Sequence, residues 1–109
     1  MSTAIQRLSP REAYAEYILG GVLVDVRNRE ESAAKTLGIK QLYTVPMNEL
    51  GERLAEIPSN RTIILVSRYG NSGRDAACYL AEHGYEHVAL IDGGFSAWES
   101  EGLPVNYTA

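Results

Sequence analysis

The sequence predicts an α/β domain in three layers, with a central, mostly parallel five-stranded sheet and helices on both faces. Three observations lead there. Short, β-branched apolar runs recur at residues 22–26, 62–66 and 87–91, apolar on both alternating faces, as strands covered on two sides are. Segments of helical periodicity lie between them. Glycine and proline punctuate the junctions. Strands that alternate with helices build a parallel sheet between helical layers. At 109 residues the chain is one domain, residues 1–109, with an expected radius of gyration of roughly 13 Å.

A short first strand is expected near residues 5–7. Ser9-Pro10-Arg11-Glu12 then opens a helix. Ser9 is placed to cap, Pro10 suits the first helical position and Glu12 completes a capping box. Ala13, Tyr14, Tyr17 and Ile18 share one face, and Gly20-Gly21 ends the helix, since glycine accepts the left-handed conformation there. Val22-Leu23-Val24-Asp25-Val26 follows as a buried strand. Residues 30–35 form a short helix. Residues 39–45 have strand character until Pro46. Met47, Leu50, Leu54 and Ile57 recur at steps of three and four with polar residues between, which predicts an amphipathic helix over 47–57. Pro58-Ser59-Asn60 is a turn. Residues 62–66 form the best buried strand, residues 72–83 a helix that stops at Gly84, and 87–91 another strand. A last helix begins at Phe95 and stops by Gly102 and Pro104.

Composition removes several classes of function. Ten basic and fourteen acidic residues leave a net charge of −4, which argues against a nucleic-acid or anionic-membrane binder. The single cysteine, Cys78, makes no intrachain disulfide, and no Cys/His cluster suits a metal. No cofactor is indicated. The N-terminus lacks the basic-then-apolar pattern of a signal peptide. No apolar run approaches the ~20 residues of a membrane span. The cytoplasm is the expected location.

Parallel sheets bind ligands beyond the carboxyl ends of their strands, so loops 25–29, 67–73 and 92–94 hold the candidates. The middle one says most. Ser67-Arg68-Tyr69-Gly70-Asn71-Ser72-Gly73 joins a strand to a helix. Such a loop can aim backbone N–H groups at one point, where the helix dipole adds positive charge. Gly70 and Gly73 let it curl. The implied chemistry is anion binding, although many strand–glycine–helix turns bind nothing. No Gly-Lys-Ser/Thr follows, so this is not a nucleotide phosphate loop. Arg27, Arg29, Arg68 and Arg74 all map to this edge. They form a local anion-attracting mouth unless Asp25, Glu30, Glu31, Asp75 and Asp92 neutralise it.

Over nearly its whole length the chain resembles the single-domain rhodaneses, the thiosulfate sulfurtransferase fold. Leu8-Ser9-Pro10-Arg11-Glu12-Ala13 looks like the family's opening helix, and Leu23-Val24-Asp25-Val26-Arg27 resembles its D-x-R strand end. Gly70-Asn71-Ser72 sits in its active loop. Ile91-Asp92-Gly93-Gly94-Phe95-Ser96-Ala97-Trp98, followed by Gly102-Leu103-Pro104-Val105, is similar to its closing signature. The resemblance implies a supporting role for Asp25, Arg27, Arg74, Gly93 and Gly94 around an anion-binding loop of Arg68, Tyr69, Gly70, Asn71, Ser72 and Gly73.

Two departures matter more than the matches. The family's loop begins with a cysteine that carries the transferred sulfur as a persulfide, and here that position is Ser67. The family's Gly-His-Ile stretch should fall where Lys35-Thr36-Leu37-Gly38-Ile39 stands. A serine forms no persulfide, and it needs an adjacent general base to act as a nucleophile. His83 lies roughly 15 Å down the following helix, and His87 opens the next strand at the far end of the sheet. Asp25 is expected to hold loop backbone or to pair with Arg27. Cys78 falls about 140° around the helix from Gly73, away from the loop's focus. Tyr69 is expected to be exposed and Trp98 to be core.

The sequence therefore predicts a rhodanese-like domain without the persulfide-forming cysteine, which binds a small oxyanion or a protein partner. The alternative is a working sulfurtransferase present as a Cys-to-Ser variant. A phosphatase of the kind that shares this fold needs a cysteine and a longer loop.

Overall fold

A computed structural model describes residues 5–107. Its central sheet has five parallel strands: β1 (Ile5–Leu8), β2 (Val22–Asp25), β4 (Leu42–Thr44), β5 (Ile63–Val66) and β6 (Val88–Ile91). They lie in the order β1-β6-β5-β2-β4. The helices are α1 (Pro10–Ile18), α2 (Arg29–Ala34), α3 (Asn71–Glu82) and α4 (Gly94–Ser100). Ser9 caps α1 with the reciprocal Ser9–Glu12 bonds of a capping box. The radius of gyration is 12.5 Å.

Each central strand is buried at all four positions, and its residues divide between two cores. Val22, Val24, Ile63, Leu65, Val88 and Leu90 pack with Ala76, Ala77 and Leu80 of α3. Leu23, Ile64, Val66, Ala89 and Ile91 pack with Ala13 of α1 and with Phe95 and Trp98 of α4. The alternation of side chains along a strand makes the division, and covering both faces fixes the register. Trp98 is fully buried, and its Nε1 donates to the Pro104 carbonyl at 2.7 Å.

The structure corrects two expectations and adds a pair of strands the sequence did not indicate. Residues 47–57 form no continuous helix, but two 3₁₀ turns, Met47–Glu49 and Leu54–Glu56. Gly51 interrupts them, and a helix interior tolerates glycine poorly. The Tyr85 hydroxyl donates to the carbonyls of Leu54 and Ile57, which competes with helical pairing there. The apolar positions still face the core, with Leu50 and Ile57 buried, so the periodicity reported burial and not helix. The strand expected at 39–45 shrinks to Leu42–Thr44. Finally, β3 (Lys35–Leu37) and β7 (Val105–Tyr107) form a separate antiparallel pair. Segments 68 residues apart pair only after α4 has returned the chain, and each is too short to announce itself.

Arg53 ties the two 3₁₀ turns together through Glu49 and Glu56. Arg29 on α2 holds the Glu49 carboxyl below its usual range, with Arg53 contributing, and Arg53 does the same for Glu56. A carboxylate whose folded pKa is depressed adds stability above its unfolded pKa and loses it as pH falls through the folded value. We therefore expect the melting temperature to fall below about pH 4, and Arg53→Met to flatten part of that fall. Superimposable pH–melting curves for the two proteins would contradict it.

Candidate functional site

The order β6-β5-β2 places the carboxyl ends of three adjacent parallel strands side by side. Loops 25–29, 67–73 and 92–94 therefore meet at one edge. Ser67 directly follows β5 and is only 2% exposed. Its Oγ accepts the Gly70 N–H at 2.8 Å. Gly70 has φ 99°, a left-handed conformation that costs glycine little, and it turns the chain into α3.

The start of α4 holds this loop from below. Phe95 N donates to the Ser67 carbonyl at 2.7 Å, and Ser96 N to the Arg68 carbonyl at 3.1 Å. In a trans peptide N–H and C=O point oppositely. Turning these two carbonyls toward α4 therefore turns the N–H groups of Arg68 and Tyr69 away from it. Among the described residues neither N–H meets a protein acceptor. The first N–H groups of α3, from Asn71 to Gly73, have no intrahelical acceptor. A Cβ on Gly73 would stand 3.2 Å from Ser67 Oγ, so this helix start abuts the serine. Gly94 is required by contact: a Cβ there would lie 2.3 Å from the Ser67 carbonyl oxygen and 2.7 Å from Gly70 N. Gly93, at φ 77°, precedes it as the N-cap of α4.

Asp25 is fully buried. It accepts from the Arg27 backbone N–H, from Arg27 Nε and Nη2, and from Ser32 Oγ. It is thus committed to Arg27 and its own loop. Arg27 Nη2 also donates to the Lys35 carbonyl, and its guanidinium lies 4.1 Å from the centre of the Phe95 ring. Among the described residues no histidine or carboxylate hydrogen-bonds Ser67 Oγ. His83 is exposed at the end of α3, bonded to the Tyr79 carbonyl and stacked on that ring. His87 is exposed just before β6, at the opposite end of the sheet. Cys78 is an exposed thiol on α3.

The four-arginine mouth is largely compensated. Arg27 pairs with Asp25, Arg29 with Glu49, and Arg68 with Glu31 at 3.3 Å. Glu49 was not among the expected neutralisers, and Asp92 instead pairs with Arg7. Arg74 is exposed and has no ion pair among the described residues. The Arg68 pair is open to solvent, where such contacts are worth at most ~1 kcal/mol, so Arg68 remains available to an anion. Tyr69 is 58% exposed, with the Arg68 guanidinium 4.9 Å from its ring centre.

Sequence reasoning missed a groove of about 280 Å³ beside the loop. Glu31, Ala34 and Lys35 form one wall and Ser96 and Glu99 the other, with Arg27 and Phe95 between them and Arg68 and Tyr69 at the loop end. The spacings Glu31/Lys35 and Phe95/Glu99 each mark one side of a helical segment. Nothing in the sequence says that the two sides face each other. Among the described residues no helix is long and apolar enough to cross a membrane, and no cluster of three or more His, Cys, Asp or Glu could share a metal ion.

A parallel sheet whose central strand opens into a short glycine loop, braced by the start of the last helix, defines a recognisable class of α/β domain. The chain belongs to the rhodanese-like domain family, which it matches over residues 9–101. A protein named sulfurtransferase from Allochromatium vinosum is 35% identical over 100 residues, covering 92% of this chain and 89% of that one. The thiosulfate sulfurtransferase GlpE of Pseudomonas syringae pv. syringae is 31% identical over 98 residues, covering 90% and 91%. Among solved structures, a rhodanese-related protein from Thermoplasma volcanium superposes with a TM-score of 0.82. It covers 93% of this chain and 97% of that one at 23% identity, a likeness of fold. The reduced CoADR-RHD protein of Bacillus anthracis gives 0.81 at 30% identity, with 92% of this chain matching 18% of that one.

Proposed function

We propose that this domain binds an anion and does not transfer sulfur. In this reading Ser67 occupies the position of the family's persulfide-forming cysteine, and residues 68–73 cradle a small sulfate- or thiosulfate-like oxyanion or an anionic group of a protein partner. The observation that carries it is the combination at one point: a buried hydroxyl, an N–H donated to it by Gly70, and, among the described residues, no base hydrogen-bonded to it. Sulfur transfer needs a sulfur atom that attacks the donor, and a serine oxygen without a base is neither ionised nor able to hold a persulfide. Asp25, Arg27, Gly93 and Gly94 support the loop, and Arg74 adds an exposed cation beside it. The domain works in the cytoplasm without cofactor, metal, nucleic acid or membrane. The second reading, a sulfurtransferase with serine substituted for its cysteine, is favoured by the sulfurtransferase names of relatives that align over nine-tenths of the chain.

Titration calorimetry with thiosulfate, beside an assay for thiocyanate from thiosulfate and cyanide, tests this. We expect saturable binding and thiocyanate formation no faster than without protein. Catalysed formation abolished by Cys78→Ala would overturn the reading and make Cys78 the sulfur carrier.

A further inference from the structure

The groove beside the loop is lined by a donor that has no partner among the described residues. The Arg27 side chain is only 3% exposed. Its Nε and Nη2 bond Asp25 and the Lys35 carbonyl. Among the described residues no acceptor meets Nη1. Every side-chain nitrogen or oxygen there that is fully shielded from solvent has a partner, so Nη1 opens onto the groove that Arg27 lines.

The far end of the groove is built differently from the loop end. Lys35 Nζ lies 2.9 Å from Glu99 Oε2, which also accepts from the Tyr107 hydroxyl. Lys35 holds the Glu99 carboxyl below its usual range, so it is ionised at neutral pH. Glu99 Oε1 has no hydrogen-bond partner among the described residues, and Lys35 has further N–H donors to give. A ligand therefore meets, side by side, a free carboxylate oxygen and a free ammonium N–H. An α-amino acid head group is complementary to that pair, its ammonium to Glu99 and its carboxylate to Lys35. Lys35 stands one turn from Glu31, and Glu99 one turn from Phe95, about 6 Å along each segment. At the other end of that span Arg68 borders the groove, where its pair with Glu31 is weak.

We propose that the groove binds an α-amino acid whose side chain ends in an oxyanion, with the head group on Lys35 and Glu99, Arg27 Nη1 donating to it from the floor, and the side-chain oxyanion at Arg68 and the loop. This rests on the reading of residues 68–73 as an anion cradle and names the ligand class that cradle serves. Lys35 and Glu99 act as specificity-determining residues.

The probe is S-sulfo-L-cysteine, compared by calorimetry with thiosulfate, which shares its sulfur oxyanion but lacks the head group, and with N-acetyl-S-sulfo-L-cysteine. One charge-assisted hydrogen bond is worth about tenfold or more in affinity. S-sulfo-L-cysteine is expected to bind at least about tenfold more tightly than thiosulfate. Acetylation of its amine removes that advantage, and so does Glu99→Gln. Equal affinity for S-sulfo-L-cysteine and thiosulfate overturns the groove proposal and leaves the loop reading standing. Binding of neither overturns both. Tight S-sulfo-L-cysteine binding that survives acetylation and Glu99→Gln overturns the assignment to the Lys35–Glu99 pair. The acetylated probe needs no altered protein, so a misfolded variant cannot obscure the result.

Discussion

Ser67→Cys is expected to gain one sulfur atom when incubated with thiosulfate, read as a mass increase on the intact protein that a thiol reductant reverses. The unaltered protein gains none. A cysteine thiol ordinarily titrates near ~8.5, and a helix N-terminus and surrounding N–H donors lower that value, so a thiolate forms at neutral pH. The positions for this are present: Gly70 N–H already points at the position-67 side chain, and Gly73 lies against it. Oxygen and sulfur differ little enough in size for the loop to keep its course, which the bonds from Phe95 and Ser96 to its carbonyls set independently of the side chain. Thiocyanate formation should rise from background in the same variant. A folded Ser67→Cys protein that stays at its original mass would locate the loss of activity beyond the serine. The altered stretch at residues 35–39 would then be responsible.

Asp25→Ala should be among the most destabilising single changes in the chain. It removes the carboxylate from a side-chain pair in which both partners are almost wholly buried. The Arg27 guanidinium would keep its charge in a buried site beside Phe95, and breaking a buried pair in this way costs about 3–5 kcal/mol. Against total stabilities of about 5–15 kcal/mol, that lowers the melting temperature by tens of degrees or unfolds the domain. Removing both charges together, as Asp25→Leu with Arg27→Met, should restore much of the loss, because no unpaired ion then remains. Chemical denaturation of the three proteins measures this. An Asp25→Ala cost below about 1 kcal/mol would show that the pair behaves as a solvated surface contact.

The prominence of the Asp25–Arg27 pair was legible early, since both residues stand at the end of a strand apolar on either side. The same holds for the central strands, the capped first helix and the loop after β5. What local patterns left undecided was what lies across from what. The sequence named Glu31 among the acids that could neutralise the arginine mouth but not which arginine it meets, and it did not name Glu49; the structure sets Glu31 against Arg68 and Glu49 against Arg29. The spacing of Met47, Leu50, Leu54 and Ile57 reported a buried side but not the 3₁₀ turns that supply it, because the hydroxyl that donates to the Leu54 and Ile57 carbonyls belongs to Tyr85, nearly thirty positions away.

Continuous apolar runs, glycine placement and capping are local, so the sequence by itself determined the α/β class, the strands buried on both faces and the edge at which Ser67 lies. The pairing of β3 with β7, the groove between α2 and α4, and the meeting of Lys35 with Glu99 were decided only by the tertiary structure. Each depends on bringing together segments 60 or more residues apart. Their individual propensities are weak, and the energy that selects them comes from burying Leu37, Phe95 and Trp98 in one shared core.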